Sequence, residues 1–277
     1  MGAVLETIFA GGVVFQRKIE KRRRSAGETR APKVNPTPEA VRKLNFRNSV
    51  RTLLIKLMHN FMPGDYHMVF TYAGVPPTKE EAKGNMSRMK RKMRERYKAS
   101  GAAFKWIETT EYKNKRIHHH LIVNAGVPVS EIQEMWEEYG TVHVRVLRKD
   151  RDWRKLAVYL IKETQRTFRD PDAYGRQRYT CSRNLSMPEV FEMSIPYSEL
   201  GEEPKPFPGY YIDRDSIYHG INPVTEREYM EYIMLPINPY KVRKRVNGQK
   251  RKVYRNESYA AWLRENMPLQ YSLEFYD

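Results

Sequence analysis

Between residues 38 and 166 the apolar positions switch repeatedly between helical and strand spacing. Val41, Leu44, Val50, Leu53, Leu54 and Leu57 recur at roughly helical intervals with arginines and lysines between them. They predict a helix over 38–61, started by Thr37 or Pro38 and stopped by Pro63-Gly64-Asp65. Tyr66–Tyr72 reads as a core strand, broken by Gly74-Val75-Pro76-Pro77. Thr78 is a good N-cap, with Glu80 and Glu81 placed to favour a helix start. The helix it opens runs to about Lys98, and Met86, Met89, Met93 and Tyr97 form its core stripe. Ala103–Glu111 is the next strand. Lys113-Asn114-Lys115 reads as a turn into a second strand at 117–123, so the pair should form a hairpin. A helix over Ser130–Tyr139, capped by Ser130, precedes an alternating strand, Thr141–Leu147. Asp152 then caps a helix from about Trp153 to Arg166. The order β-α-β-β-α-β-α predicts an α+β fold: an antiparallel sheet with helices on one face.

The flanks are less patterned. Residues 1–45 open with a short apolar piece, a candidate for one strand. The basic run Arg17–Arg24 and a Pro-rich polar stretch to Pro38 follow, a composition that suits a basic, partly disordered arm. After Pro188 prolines and tyrosines become frequent. Glu199–Gly209 reads as a linker, and Glu226–Met234 and Ser258–Met267 as short helices. The expected division is an arm (1–45), a central domain (46–190) and a C-terminal extension of unknown role (191–277).

Charge narrows the partner. Fifty Lys and Arg against 33 Asp and Glu give a net charge of +17 over 277 residues, which points to a polyanion, most simply nucleic acid. No run is long enough to span a bilayer, and Ala3–Phe15 makes a poor signal peptide. The single cysteine, Cys181, excludes an intrachain disulfide. A soluble cytoplasmic protein is expected.

The candidate chemistry lies in Arg116-Ile117-His118-His119-His120-Leu121-Ile122-Val123. On a strand His118 and His120 share one face, about 7 Å apart, and His119 points to the other. Two such imidazoles can hold one divalent metal. If the turn centres on Asn114-Lys115, Glu111 stands opposite His118 as a third ligand and Thr109 stands opposite His120. A register shift of one residue would instead bring up Glu108. Two imidazoles and a carboxylate leave positions open for a phosphate oxygen, for which Mg²⁺ or Mn²⁺ is suited. Tyr159 and Lys162 lie three apart on one helix face. A tyrosine oxygen can attack phosphorus when a metal and a nearby cation assist it. Each feature alone is ordinary: a surface histidine strand, or an amphipathic helix. Arg88, Arg91, Lys92, Arg116 and Arg166 are the candidate phosphate contacts, the basic stretch Lys241–Arg255 could neutralise further phosphates, and the many tyrosines could stack on bases.

Taken in order, Phe70-Thr71-Tyr72, then His118-x-His120, then Tyr159-x-x-Lys162 resemble the HUH endonucleases. The closest likeness is to the single-tyrosine rolling-circle replication initiators of plasmids, integrative elements and phages, over roughly Tyr66 to Lys162. The resemblance implies that His118, His120 and Glu111 hold Mg²⁺ or Mn²⁺ and that Tyr159 is the nucleophile, with Lys162 positioning the phosphate. The substrate implied is single-stranded or hairpin origin DNA, left with a 5′-phosphotyrosine and a free 3′-OH. The middle position of the histidine motif is normally hydrophobic, and here it is His119. No Walker A pattern is present, so unwinding would need a host or element-encoded helicase. A homodimer is left open. Two other readings compete: a single-tyrosine HUH transposase, and a non-catalytic nucleic-acid-binding module indifferent to metal.

Overall fold

The computed structural model describes residues 2–21, 39–112, 116–148, 153–167, 177–223 and 225–237, without the side chains of 163 and 165–167. In chain order the elements are β1 (Gly2–Ala10), β2 (Val13–Lys21), α1 (Glu39–Asn60), β3 (Tyr66–Tyr72), α2 (Lys79–Ala99), β4 (Trp106–Glu111), β5 (His118–Val123), α3 (Val129–Trp136), β6 (Gly140–Val146), α4 (Arg154–Thr167), β7 (Thr180–Cys181), β8 (Val190–Ile195), β9 (Tyr210–Ile212), β10 (Tyr218–Ile221) and β11 (Glu228–Pro236). The chain folds as two compact units, Thr37–Pro188 on the one hand and Met1–Pro36 with Glu189–Asp277 on the other.

The unit Thr37–Pro188 is built on a five-stranded sheet of order β6-β3-β5-β4-β7, with every neighbouring pair antiparallel. From β3 to α4 its elements follow the predicted β-α-β-β-α-β-α order. On one face Met68, Phe70, Leu121 and Val123 pack against Met86, Met89, Met93 and Tyr97 of α2 and against Ile132 and Trp136 of α3. The methionine stripe is thus a core face: its i, i+3, i+4 spacing puts four side chains along one side of the helix. Each such side chain, fully buried, contributes about 1.5–3 kcal/mol. The start of α2 is held by a capping box. Glu81 N–H donates to Thr78 Oγ1 at 3.2 Å, and Thr78 N–H donates to Glu81 Oε2 at 2.8 Å.

The α+β class and antiparallel sheet are as expected, but the helices take both faces of the sheet and not one. His120 and Ile122 alternate with Leu121 and Val123, so they point away from α2, and it is α4 that meets His120 there. α4 buries Ala157, Leu160 and Ile161, and α1, which buries Leu53, Leu54, Ile55, Leu57 and Met58, packs against α4. The predicted Ser130 cap is not formed. α3 begins a residue earlier, with Pro128 at the cap position and no side-chain bond there, because proline's fixed φ already sets the entry. The proposed caps Thr37 or Pro38 and Asp152, and the turn at 113–115, lie outside the described residues.

The second unit corrects the reading of the flanks. Residues 2–21 are not a flexible arm. β1 and β2 form a hairpin through Gly11 and Gly12, both at positive φ, which a two-residue hairpin turn requires. The hairpin sits inside a sheet of order β10-β11-β2-β1-β8, with β9 also on β11. Its basic residues are engaged within the unit: Arg17 and Lys21 pair with the buried Glu6, and Lys18 Nζ donates to the carbonyls of Glu199 and Glu202 at 2.9 Å each. Residues 226–234, expected to be a short helix, run instead into strand β11, where pairing with β2 overrides local propensity. Arg22–Arg24, Lys241–Arg255 and the helix expected at 258–267 lie outside the described residues. Among the described residues no helix is long and apolar enough to cross a membrane.

Candidate active site

The β4–β5 hairpin decides which carboxylate accompanies the histidines. Glu111 pairs with His118 and Thr109 with His120, the register expected from the turn. Directly opposite residues point to the same face, so Glu111 joins His118 and His120. Glu108 pairs with Leu121 on the other pleat, where its carboxylate accepts from Lys90 Nζ. Glu111, His118 and His120 each offer a ligand atom, and these atoms all lie within 4.8 Å of one another.

The two histidines are held in similar ways. His118 Nδ1 lies 2.9 Å from the Arg116 carbonyl oxygen, which can only accept, so Nδ1 carries the proton. That leaves Nε2 facing Glu111 Oε2 at 3.0 Å. A bare imidazole lone pair against a carboxylate repels unless something positive joins them, either a proton on Nε2 or a divalent cation. The donor set fits a divalent ion bound by nitrogen and oxygen. His120 Nδ1 lies 3.2 Å from His67 Nε2, with the two rings stacked at 5.4 Å, and its Nε2 lies 3.4 Å from the Tyr159 hydroxyl. Burial, and then the positive Arg145, push the His67 pKa down to about 4, so this ring is neutral near pH 7.

Tyr159 projects from α4 with its ring edge-on to His120, centroids 5.3 Å apart, and it remains 37% exposed. A substrate can therefore reach its oxygen while α4 anchors its backbone through Ala157, Leu160 and Ile161. Lys162, three residues on, is exposed.

His119 occupies the opposite face, fully buried among polar partners. Its Nε2 lies 3.0 Å from the Tyr72 hydroxyl and its Nδ1 2.8 Å from Thr110 Oγ1, with Trp136 edge-on. Burial first, then the nearby Lys90 and His118, lower its pKa to about 3. This is how a histidine replaces the expected apolar residue: two hydroxyls satisfy both ring nitrogens.

Residues 65–168 match the family model described as Replication-associated protein ORF2/G2P. That is a family of rolling-circle replication initiators, in agreement with the resemblance drawn from the motifs. The matched segment begins one residue before β3 and ends one residue after α4. It contains Glu111, His118, His120, Tyr159 and Lys162. No curated protein and no solved structure gave a match.

Of the other candidates, those on α2 are not gathered at the Glu111/His118/His120 triad. α2 packs on the His119 face, so Arg88, Arg91 and Lys92 stand across the sheet from His118 and His120. Arg88 bonds Asn85 and the Tyr139 hydroxyl, and Lys92 pairs with Glu138 at 2.9 Å. Arg116 is exposed, its guanidinium donating to the Gly74 carbonyl. The side chain of Arg166 lies outside the described residues. Sequence reasoning missed His67, whose signal was available: it lies an even number of residues from Val69 and Thr71, opposite Ile122, on the triad's face. It also missed Thr141 and Arg145. Together with His143 these stand exposed on edge strand β6, opposite Thr71, His67 and Val69 respectively, and so on the triad's face too.

Proposed function

We propose that this chain is a metal-dependent DNA-nicking and strand-transferring replication initiator, with Tyr159 as the nucleophile. The observation that carries the reading is the Tyr159 hydroxyl lying 3.4 Å from Nε2 of His120, itself one corner of the Glu111/His118/His120 cluster. A binding module has no need of that convergence.

The chemistry supplied by Mg²⁺ or Mn²⁺, when bound by Glu111, His118 and His120, is polarisation of a phosphate oxygen. Tyr159 loses its proton to solvent and its oxygen attacks the scissile phosphorus. A tyrosine O–P bond forms as the bond from phosphorus to the 3′ oxygen breaks. The departing oxygen takes the electron pair, gains a proton and becomes a 3′-OH able to prime synthesis. The 5′ side stays on the protein as a phosphotyrosine, and attack by another 3′-OH reverses the step and joins strands. Exposed Lys162, one turn beyond Tyr159, holds the phosphate by charge. Arg116 and the β6 row of Thr141, His143 and Arg145 flank the substrate strand. The substrate is single-stranded or hairpin origin DNA. The protein acts in the cytoplasm with a host or element-encoded helicase, and a homodimer is the assembly to test for first.

The test is a denaturing gel of the full chain with labelled single-stranded and hairpin oligonucleotides tiling the DNA beside its own gene. Reactions contain Mn²⁺, Mg²⁺ or EDTA. A covalent adduct that needs metal and is lost in Tyr159→Phe is the expected result. Cleavage that persists in Tyr159→Phe overturns the assignment of the nucleophile. Salt-sensitive binding with no adduct overturns the enzyme.

A further inference from the structure

β3 contributes no ligand to the triad, yet its one histidine touches one. His67 stands opposite Ile122, diagonal to His120 across the β3–β5 pair, and both rings point to the triad's face. Only 8% of His67 is exposed. Its Nε2 lies 3.2 Å from His120 Nδ1, and the two rings are stacked 26° from parallel.

At 3.2 Å, Nε2 of His67 and Nδ1 of His120 can share only one proton, and its position matters. If His67 Nε2–H is the donor, His120 carries its own proton on Nε2, and that nitrogen has no lone pair to give a metal. If His120 Nδ1–H is the donor, Nε2 of His120 keeps its lone pair toward Glu111 and His118. His67 must then carry its proton on Nδ1. His118 is already set in the second way, by the Arg116 carbonyl at its Nδ1. The two ligand histidines then differ only in what holds them, a main-chain carbonyl for one and a buried imidazole for the other.

We propose that His67 is a positioning residue of the metal centre: its Nε2 accepts from His120 Nδ1–H, fixing the tautomer and ring angle that let His120 ligate. This rests on the metal-centre reading above. Outer partners of ligand histidines set metal affinity through this kind of bond. Glutamine can replace the role, because its side-chain oxygen reaches about where Nε2 does and accepts. Leucine cannot.

The experiment titrates Mn²⁺ into metal-free full-length protein, following the free ion by electron paramagnetic resonance. Wild type, His67→Gln and His67→Leu are compared, with thermal melts to confirm folding. His67→Leu should bind about 10–100-fold more weakly, and His67→Gln within about threefold of wild type. Folded His67→Leu that binds as tightly as wild type overturns the proposal, as does His67→Gln that binds as weakly as the leucine variant. Should His67→Leu fail to fold, histidine ¹⁵N spectra of the Mg²⁺-loaded wild type decide the matter. A proton on Nδ1 of His120 supports the assignment and a proton on Nε2 overturns it. Wild type that binds no Mn²⁺ at all removes the metal centre itself, an outcome distinct from failure of His67 alone.

Discussion

His119→Leu tests whether the middle histidine is a neutral core residue with no part in the proposed metal centre. The wild-type ring is fully buried between the Tyr72 and Thr110 hydroxyls. Leucine fills similar space and adds apolar burial, but it strands two hydroxyls at about 1–3 kcal/mol each. Tyr72 keeps a 3.4 Å bond to the Ala82 carbonyl, which limits the loss, so a net cost of about 1–2 kcal/mol at pH 7 is expected. The pH dependence is sharper. The folded-state pKa is lowered to about 3 against an ordinary value of 6.5. Between those values the unfolded chain binds a proton that the native state refuses. Stability from this group is therefore complete above pH 6.5 and falls as the pH drops toward 3. From pH 7 to pH 5 that loss is about 2 kcal/mol, and leucine abolishes it. Urea unfolding in EDTA, at pH 7 and at pH 5, should show the variant's penalty shrinking by about this amount. An unchanged penalty would mean that His119 titrates normally in the native protein, and the buried neutral ring would be wrong. The metal-dependent adduct proposed for Tyr159 should still form in the variant.

Glu111→Gln should weaken Mn²⁺ binding by more than about tenfold in a calorimetric titration, whereas Glu108→Gln, on the other pleat, should leave it unchanged. Gly140→Ala would place a Cβ 2.2 Å from the Thr71 carbonyl oxygen and 2.8 Å from the Ala73 nitrogen. With backbone on both sides it should cost about 3 kcal/mol, read as a lowered melting temperature. Glu6 is buried, which alone would raise its pKa, but Arg17 and Lys21 together outweigh burial and hold it below the ordinary 4.5. Glu6→Gln should therefore destabilise the protein by about 1–3 kcal/mol at pH 7, discounted for its half-exposed partners. The difference from wild type should fade as the pH falls below about 4.5, in denaturation curves from pH 7 to pH 3.

What was legible in the chain was whatever depended on neighbours in sequence. Met86, Met89, Met93 and Tyr97 mark a helix face by spacing alone. Thr78 and Glu81 mark its start, and the turn read from Lys113-Asn114-Lys115 predicts the register, seen in the β4–β5 pairing, in which Glu111 faces His118. The order from β3 to α4 follows from such local signals. The sheet holding β1 and β2 was not legible, since its partners β8 and β11 lie about 180–220 residues away, and a basic strand reads as a basic tail until its pairing is known. Residues 228–236 became a strand for the same reason. The sequence alone determined that His118 and His120 share a face, because strand geometry alternates. Only the tertiary structure decided that α4 crosses that face and brings Tyr159 to His120, and that β3 sets His67 behind it. Both contacts join segments 39 and 53 residues apart, and no local periodicity encodes which of two sheet faces a distant helix will cover.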